Sequence, residues 1–386
     1  MRFPILLFGV FLSIGLNAQE KKSIAHISIP ELIDKKINLN LSDVFPEVSY
    51  IPLESNKDNL IGIVNSLVVD KDFILIYDRK NTKLLQFDGK GSFVRPFMNR
   101  GKGPKEFGEI SAIDANDNKE LLIMREGQFI DIIRYDGTLI KTITLTVTPQ
   151  SARWLNNDIM VLIFPFPNYL YNEGYEVCFM DRQGKVLKKT LKRPIEKVSR
   201  GSGSRARMGW NNGELYYWFH QSDTIYTITK SMEVYPRYAL AHDRRHIPVD
   251  KYSISGFQPI LDQQYTVESY DEWGDYIFIN VAYNYHFFQC VFNAKLNLKG
   301  NVIAEYNKWT YSGLLNNIDG GKPFWPGSLH KDGSRVNVLD PLELSETFSH
   351  NLEIKLKVNT VKQNLLKKEV IDRINDLSNP ILMKVR

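Results

Sequence analysis

The chain has 386 residues, of which 12% are aromatic and 24% charged, and its formal net charge is +5. This length is ample for a large core, and the ordinary charged fraction excludes a wholly disordered chain. Such a mild positive charge gives no support for binding to nucleic acid or to an anionic membrane surface.

Residues 1–18 have the three parts of a secretory signal peptide. Arg2 provides the positive start, an apolar segment from Ile5 to Leu16 follows, and Ala18 precedes the expected cleavage site. The apolar segment is too short for a membrane-spanning helix, which needs about 20 residues, and no cysteine near the site offers a lipid attachment point. The sequence therefore predicts a periplasmic or extracellular protein without a lipid anchor or a membrane span.

After an N-terminal extension at residues 19–47, a turn with one sequence pattern recurs along the chain. Its residues read glycine, polar, apolar, apolar from Gly91, Gly137, Gly184 and Gly300, and Ser231 holds the corresponding place without a glycine. The steps are 46, 47, 47 and 69 residues. Glycine suits the positive φ of tight hairpins, and units of about 40–50 residues with several short strands are typical of propeller blades. The repeat therefore predicts five blades.

The two ends of the chain supply the strands of a sixth blade. Residues 324–330 and 335–338 are expected to form its first two strands, residues 381–385 the third and residues 48–53 the fourth. Closing the ring with strands from both termini removes exposed sheet edges. The sequence therefore predicts an all-β, six-bladed β-propeller over residues 48–386.

A helix is predicted as an insertion in the last blade, at about residues 360–379. Apolar residues recur there at helical spacing, with lysine, glutamate and aspartate opposite. They are Val361, Leu365, Leu366, Val370, Ile371, Ile374 and Leu377. We expect this apolar stripe to pack against the flank of the blade.

The two cysteines, Cys178 and Cys290, lie in apolar segments that have the character of strands. The repeat places them in the third strands of two blades that are not neighbours. A disulfide is permitted in an exported protein, but this placement predicts two free, buried thiols.

Several segments carry a resemblance to a known family. They are Tyr50-Ile-Pro-Leu-Glu54, Arg100-Gly-Lys-Gly-Pro-Lys-Glu-Phe107, Asp223-Thr-Ile-Tyr226, Asp319-Gly-Gly-Lys-Pro-Phe-Trp-Pro326 and Asn379-Pro-Ile-Leu-Met383. Through them the chain resembles the secreted bacterial six-bladed β-propellers whose blades are related to NHL repeats. The resemblance implies the propeller fold over nearly all of the mature chain, and it implies no reaction and no catalytic residue. Lys105 departs from the NHL pattern, in which a second glycine is usual.

The segment Asp114-Ala-Asn-Asp-Asn118 begins like a calcium-binding loop. Lys119 replaces the glycine expected at the sixth position, and Arg125 replaces the glutamate expected at the twelfth. The segment is therefore predicted to be a polar turn between two strands.

His242 and His246 have the i, i+4 spacing of a helical zinc pair. The glutamate of a zinc-protease motif is missing, Pro248 follows closely, and Arg244 and Arg245 would oppose a dication. The sequence favours a solvated loop here, and we predict no metal and no cofactor.

The connectors between blades carry the candidate binding residues. Connectors that follow the fourth strands of a propeller should emerge on one common face, so their side chains are expected to form a basic, aromatic-lined mouth. The residues are Arg100, Lys102, Lys105, Arg153, Trp154, Arg205, Arg207 and Trp210. Guanidinium groups and indole rings together suit a carboxylated sugar or an acidic peptide. The alternative is that these charges only solvate long loops.

These features predict an exported binding module for a glycan, a peptide or a protein partner, because loops on a rigid scaffold commonly carry function. One alternative is a six-bladed hydrolase or lyase of the sugar-lactone hydrolase type, which needs carboxylates and amides around an axial metal. Another is a structural envelope protein. The sequence has no nucleophilic-serine elbow, and binding is the favoured interpretation.

Overall fold

The computed structural model describes residues 24–386, except for residues 102, 104–105, 166–167, 194–205, 220–221, 248–262, 285, 303, 307–308, 312, 328, 355–359 and 376–377. The expected signal peptide lies outside the described residues, as do Lys102, Lys105 and Arg205. The described chain forms a six-bladed β-propeller, which confirms the predicted fold class.

Blades 1 to 5 are each built from four antiparallel strands that follow one another in the chain. Their bounds are Val64–Asp70, Phe73–Asp78, Lys83–Phe87 and Phe93–Arg100 in blade 1; Ile110–Ala115, Glu120–Arg125, Phe129–Arg134 and Leu139–Thr144 in blade 2; Ser151–Trp154, Ile159–Ile163, Tyr175–Asp181 and Val186–Lys192 in blade 3; Ala206–Asn211, Glu214–Phe219, Thr224–Ile228 and Val234–Ala241 in blade 4; and Tyr265–Trp273, Tyr276–Tyr283, His286–Asn293 and Leu298–Asn301 in blade 5. A two-residue strand, Glu106–Phe107, extends blade 1, and a small ribbon of Ala304–Tyr306 and Trp309–Tyr311 follows blade 5.

Blade 6 joins the two ends of the chain, as predicted. Its central strand, Ile381–Val385, pairs in antiparallel fashion with Arg335–Leu339 on one side and with Val48–Pro52 on the other. The N-terminal strand is the outer edge of this blade, so the ring is closed by strand pairing between the two termini.

The predicted first strand of blade 6, at residues 324–330, is wrong. Phe324 and Leu329 each form only an isolated bridge, with Leu314 and Arg335 respectively. Pro323 immediately precedes this segment and Pro326 lies within it. Because proline has no N–H, it interrupts a continuous ladder of hydrogen bonds.

The N-terminal extension runs along the outer edges of blades 4 and 5 before it enters blade 6. Ala25–Ser28 pairs in parallel with the fourth strand of blade 4. After the helix Ile29–Asp34, the Asn301 N–H of blade 5 donates to the Lys35 carbonyl at 2.8 Å. A short helix, Leu41–Val44, then leads to the outer strand of blade 6. The extension therefore links three blades.

The insertion in blade 6 contains more helix than predicted. It comprises Pro341–Ile354, Thr360–Glu369 and the 3-10 turn Ile371–Arg373, and a further short helix, Asn168–Tyr171, lies in blade 3. The predicted apolar stripe was too wide, since Leu366 and Val370 are buried whereas Val361 and Leu365 are 69% and 48% exposed. Each pair has i, i+4 spacing, but the two pairs are offset by about 140° around the helix, so they lie on different faces. No helix in the described part of the chain is long and apolar enough to cross a membrane.

The core is divided among the blade interfaces. A cluster of buried apolar side chains lies between each pair of neighbouring blades, including blades 6 and 1, where Val336 and Leu382 pack with Val69, Ile74 and Ile76. The other clusters follow the ring in the same way. Each blade therefore stabilises its two neighbours, and the interface between blades 6 and 1 depends on the closing strand.

The turn glycines explain three of the repeat positions but not the last one. Gly91, Gly137 and Gly184 have φ angles of 91°, 89° and 90°, which a glycine adopts without strain. Gly300 is not in a turn: it lies within the fourth strand of blade 5, and a Cβ at this position would lie 2.5 Å from the carbonyl oxygen of Lys35. Its glycine allows the N-terminal extension to approach, so this repeat position was misassigned.

The two cysteines are free and buried, as predicted. Cys178 lies in the third strand of blade 3 and Cys290 in the third strand of blade 5. The intervening blade keeps the two thiols apart.

Candidate functional site

The axis of the propeller contains a cavity with a volume of ≈ 730 Å³. The first strands of blades 1, 2, 3 and 4 line it, together with residues 329–331 and the strand after them in blade 6. Turns that follow the first strands of blades 2, 3 and 4, and the turn that precedes Arg335–Leu339 in blade 6, also contribute, so the cavity extends toward the face opposite the connectors. Its volume falls within the range of small-molecule sites, about 300–1,000 Å³.

Four of the predicted binding residues line this cavity: Arg153, Trp154, Arg207 and Trp210. They were expected in connectors, but they lie in the first strands of blades 3 and 4. Trp154 and Trp210 lie at the C-terminal ends of these two strands, which are farther from the connector face. Arg100 is exposed at the end of the fourth strand of blade 1 and is not part of the described lining.

Trp154 has a structural role that its position in the sequence did not reveal. Its side chain is 2% exposed and packs with Met160 and Leu162 in the cluster between blades 2 and 3. Its backbone N–H donates to Asp114 Oδ2 at 2.8 Å. This packing does not support the predicted role of its indole as a binding platform. Trp210 also packs against an inter-blade cluster, between blades 3 and 4, but it is only half-buried and lines the cavity.

Both carboxylates among the described lining residues are paired with cations. Arg153 Nη1 lies 3.5 Å from Asp114 Oδ1, and Lys331 Nζ lies 2.8 Å from Asp117 Oδ1. Burial raises the pKa of Asp114 despite the nearby Arg153. The hydrogen bond and the charge of Lys331 lower the pKa of Asp117. The first pair joins blade 2 to its neighbour, blade 3, and the second joins blade 2 to blade 6.

The wall formed by blade 4 has a different character. Arg207 and Trp210 lie in its first strand, and Lys230 lies in the turn between its third and fourth strands. No carboxylate within ion-pair distance of Arg207 or Lys230 occurs among the residues that the structure describes. Blade 4 therefore lines the cavity with two cations that form no ion pair among the described residues, and with the indole of Trp210. The charge of Lys230 contributes to the lowered pKa of Asp117.

His330 adds a neutral imidazole to the cavity, on the side of blade 6. Burial of the ring, assisted by the positive charge of Arg153, lowers the pKa of His330 to about 4. The ring is therefore uncharged at neutral pH, a state that the nearby cations favour.

This low pKa predicts a loss of stability in acid. In the unfolded chain a histidine titrates near pH 6.5, so between about pH 6.5 and about pH 4 the unfolded state binds a proton that the folded state does not. The contribution of His330 is fully present above pH 6.5, is lost progressively as the pH falls, and amounts to about 3 kcal/mol at most. Thermal melts of the parent and of His330→Gln between about pH 7 and about pH 4 should show a smaller decline in the variant. Equal declines would contradict the assignment.

An axial metal does not fit the described lining residues. The two carboxylates already face cations, and the amide oxygens nearby hold the turns. The Asn157 side-chain oxygen accepts from the Asp117 N–H at 3.1 Å, and that of Asn116 accepts from the Asn118 N–H at 3.0 Å. A hard cation needs several free oxygen ligands, and these carboxylates and amides do not provide them.

Several residues of the cavity were missed by sequence reasoning: Asp114, Asp117, Lys230, His330 and Lys331. The available signal was a polar turn, which recurs after the first strands of blades 2, 3 and 4 as Asn116-Asp-Asn118, Asn156-Asn157 and Asn212-Gly213, and before Arg335–Leu339 in blade 6 as Asp332-Gly333. Asp114-Ala-Asn-Asp-Asn118 is indeed a strand end followed by a polar turn, as predicted.

Comparison with known proteins places the chain in a family. Residues 24–386 match the model described as Domain of unknown function (DUF4934). The chain belongs to the DUF4934 family. No curated protein matches the sequence of this DUF4934 protein.

Solved structures show the same fold at low sequence identity. A candidate exported protein from Bacteroides fragilis NCTC 9343 is 16% identical, with a TM-score of 0.63 over 94% of this chain and 99% of the other. A DUF4221 family member from Bacteroides vulgatus is 14% identical, with a TM-score of 0.44 over 67% of this chain and 85% of the other. Virginiamycin B lyase from Staphylococcus aureus is 12% identical, with a TM-score of 0.39 over 68% of this chain and 75% of the other. The first of these likenesses supports the fold; the other two are too weak to carry an argument.

Proposed function

We propose that this DUF4934 protein is an exported binding protein whose axial cavity holds a carboxylate-bearing ligand, either a carboxylated sugar or an acidic peptide. The observation that carries the proposal is that blade 4 lines the cavity with two cations, Arg207 and Lys230, that form no ion pair among the described residues, and with the indole of Trp210. Arginine recognises carboxylates through two parallel hydrogen bonds, and an indole packs against a sugar ring or a peptide.

The other charges in the cavity strengthen this choice. Four cationic side chains and two carboxylates occur among the described lining residues, and each carboxylate is already paired with a cation. The remaining positive charge belongs to blade 4, so an anion should bind against that wall. Low-dielectric walls around a cleft of one sign also concentrate ligands of the opposite charge.

Export is supported by the predicted leader at residues 1–18 and by the fold shared with the candidate exported protein from Bacteroides fragilis. We propose a periplasmic or extracellular location without a lipid anchor. The intact mass of the processed chain tests this: a chain that begins near residue 19 supports it, and retention of Met1 or an added lipid contradicts it.

The binding proposal is tested with arrays of carboxylated glycans and acidic peptides, probed with the parent and with Arg207→Gln. We expect the parent to bind at least one acidic ligand, and the variant to bind it about 10- to 100-fold more weakly, because a hydrogen bond to a charged group contributes about 1.5–3 kcal/mol. Titration of the selected ligand by calorimetry gives the ratio.

Two arginines offer matched controls. Arg134→Gln removes an exposed guanidinium at the periphery of blade 2 and should leave the affinity unchanged. Arg100→Gln tests the connector mouth that the sequence suggested. If Arg100→Gln loses binding while Arg207→Gln retains it, the connectors bind the ligand and the axial cavity does not.

A hydrolase or lyase is the second candidate, and one observation favours it. A buried carboxyl with a raised pKa, Asp114, and a neutral imidazole, His330, line the same cavity, and perturbed groups of this kind concentrate in active sites. Mass spectrometry of the ligand after incubation separates the two functions. An intact ligand supports binding alone, whereas a cleaved ligand whose cleavage is lost in Asp114→Asn supports the enzyme.

A further inference from the structure

We infer that a second site, separate from the axial cavity, binds a divalent transition-metal ion of the Zn²⁺ type through Asp223, His242 and His246. One ligand atom from each residue lies within 4.8 Å of the others. Two imidazoles and one carboxylate are a common ligand set for zinc and related ions, with a remaining position for water. None of these residues lines the axial cavity.

The fold brings the three residues together from separate parts of blade 4 and its connector. Asp223 immediately precedes the third strand, and His242 immediately follows the fourth. The Leu240 N–H donates to the Asp223 carbonyl at 2.7 Å, which fixes the two strand ends side by side. Asp223 and His242 both lie on the face of the propeller on which the connectors emerge.

His246 is held in place by the first strand of blade 5. The Tyr265 N–H donates to the Arg245 carbonyl at 2.8 Å, and the Ile247 N–H donates to the Tyr265 carbonyl at 3.1 Å. These two bonds flank His246 and form an isolated parallel bridge between His246 and Tyr265. The backbone near each of the three ligands is therefore hydrogen-bonded to the propeller.

The side chains are close to the arrangement that a metal requires. His242 Nε2 lies 3.2 Å from Asp223 Oδ1, and the two imidazole rings stack with centroids 3.7 Å apart and an interplanar angle of 8°. Metal bonds of about 2.0–2.1 Å in a tetrahedral site bring ligand atoms to about 3.3 Å from one another. The two rings must rotate out of their parallel stack before both nitrogens can be directed to one ion.

Tyr265 supplies the outer contact that metal-binding histidines commonly have. Its hydroxyl oxygen lies 3.1 Å from His242 Nδ1 and also accepts from the Asp243 N–H at 3.3 Å. With Nδ1 of His242 engaged by the tyrosine, Nε2 is directed toward Asp223. This contact fixes the orientation of the imidazole.

The two arginines near His242, Arg244 and Arg245, do not oppose a cation in the way that the sequence suggested. Arg245 forms two hydrogen bonds of 2.9 Å with the carboxylate of Asp34 and a further one of 2.8 Å with Asp243. Its charge is therefore balanced by two carboxylates. Arg244 is exposed to solvent, where water and salt screen its charge. Asp223 is also exposed, so an ion reaches the site directly from solvent.

The test is calorimetric titration of the protein, purified without a polyhistidine tag, with Zn²⁺ and with Mg²⁺. We expect one equivalent of Zn²⁺ to bind and Mg²⁺ not to bind, since imidazole ligands select transition metals over hard cations. Titration with Co²⁺ should give the visible absorption of a four-coordinate ion. Each of Asp223→Asn, His242→Gln and His246→Gln should abolish this binding, and melting temperatures measured without metal establish that the variants fold.

Two further variants make the test decisive. His286→Gln removes an exposed histidine of blade 5 and should bind Zn²⁺ as the parent does. Tyr265→Phe keeps the aromatic ring and should weaken Zn²⁺ binding by about 10- to 100-fold. The proposal is overturned if the parent does not bind Zn²⁺, or if folded His242→Gln and His286→Gln bind it equally well.

Discussion

Deletion of residues 380–386 is expected to leave a chain that does not form a closed propeller. The deletion removes Ile381–Val385, the central strand of blade 6, which pairs with a strand on each side. Ile381, Leu382, Met383 and Val385 are all buried, and burial of each such side chain contributes about 1.5–3 kcal/mol. The summed loss approaches the whole free energy of unfolding of a typical domain, about 5–15 kcal/mol. Circular dichroism and a thermal melt measure the result.

A pair of leucine substitutions controls for the drastic nature of the deletion. Leu382→Ala creates a cavity in the cluster between blades 6 and 1 and should lower the free energy of unfolding by about 2–5 kcal/mol. Leu296→Ala changes a leucine that is 62% exposed in a turn of blade 5 and should have little effect. A deleted chain that melts cooperatively within a few degrees of the parent would show that the closing strand is dispensable.

Arg335→Met should lower the free energy of unfolding by about 3–5 kcal/mol, the usual cost of removing one partner from a buried ion pair. The Arg335 side chain is completely buried, and Nη1 lies 3.0 Å from Asp271 Oδ1 on blade 5. The guanidinium also donates to the carbonyls of Gly327 and Glu272. Methionine would fill the space but leave the Asp271 carboxylate without its cation. Chemical unfolding monitored by tryptophan fluorescence measures the change.

Arg79→Met is the matched control for this substitution. The Arg79 side chain is 65% exposed and lies 4.0 Å from Glu109, and an exposed pair of this kind contributes less than about 1 kcal/mol. If Arg335→Met is as stable as Arg79→Met, the buried pair does not hold blades 5 and 6 together.

The fold could be predicted because its signals are local and repeated. The turn glycines Gly91, Gly137 and Gly184 have the positive φ that the pattern requires. Gly300 misled the prediction because a glycine can also allow another segment to approach, in this case at Lys35. These two uses of glycine look alike in one sequence.

The sequence of the insertion contains signals for two helices, but the prediction used only those of the second helix. Asp340 and Pro341 form a standard helix start, and Asp340 Oδ1 accepts from the N–H groups of Leu342 and Glu343 at 2.9 and 3.2 Å. The sequence therefore contained the start of Pro341–Ile354, although the prediction placed a single helix later. Which apolar residues of the second helix are buried depends on the packing surface, which the sequence does not specify.

The sites could be predicted only in part because each one is formed by side chains that are far apart in the sequence and meet only in the folded chain. The sequence singled out Arg207 and Trp210, but not their position in a strand at the axis. Asp117 and Lys331 are 214 residues apart, and no local pattern joins them. The His242 and His246 pair was visible in the sequence, whereas Asp223 and the neutralising Asp34 came from distant segments.

A crystal structure with the strongest acidic ligand from the arrays tests the binding proposal most directly. The proposal predicts ligand density in the axial cavity, with a carboxylate beside Arg207 or Lys230 and the ligand against Trp210. Density on the connector face near Arg100, with an empty axial cavity, would contradict it.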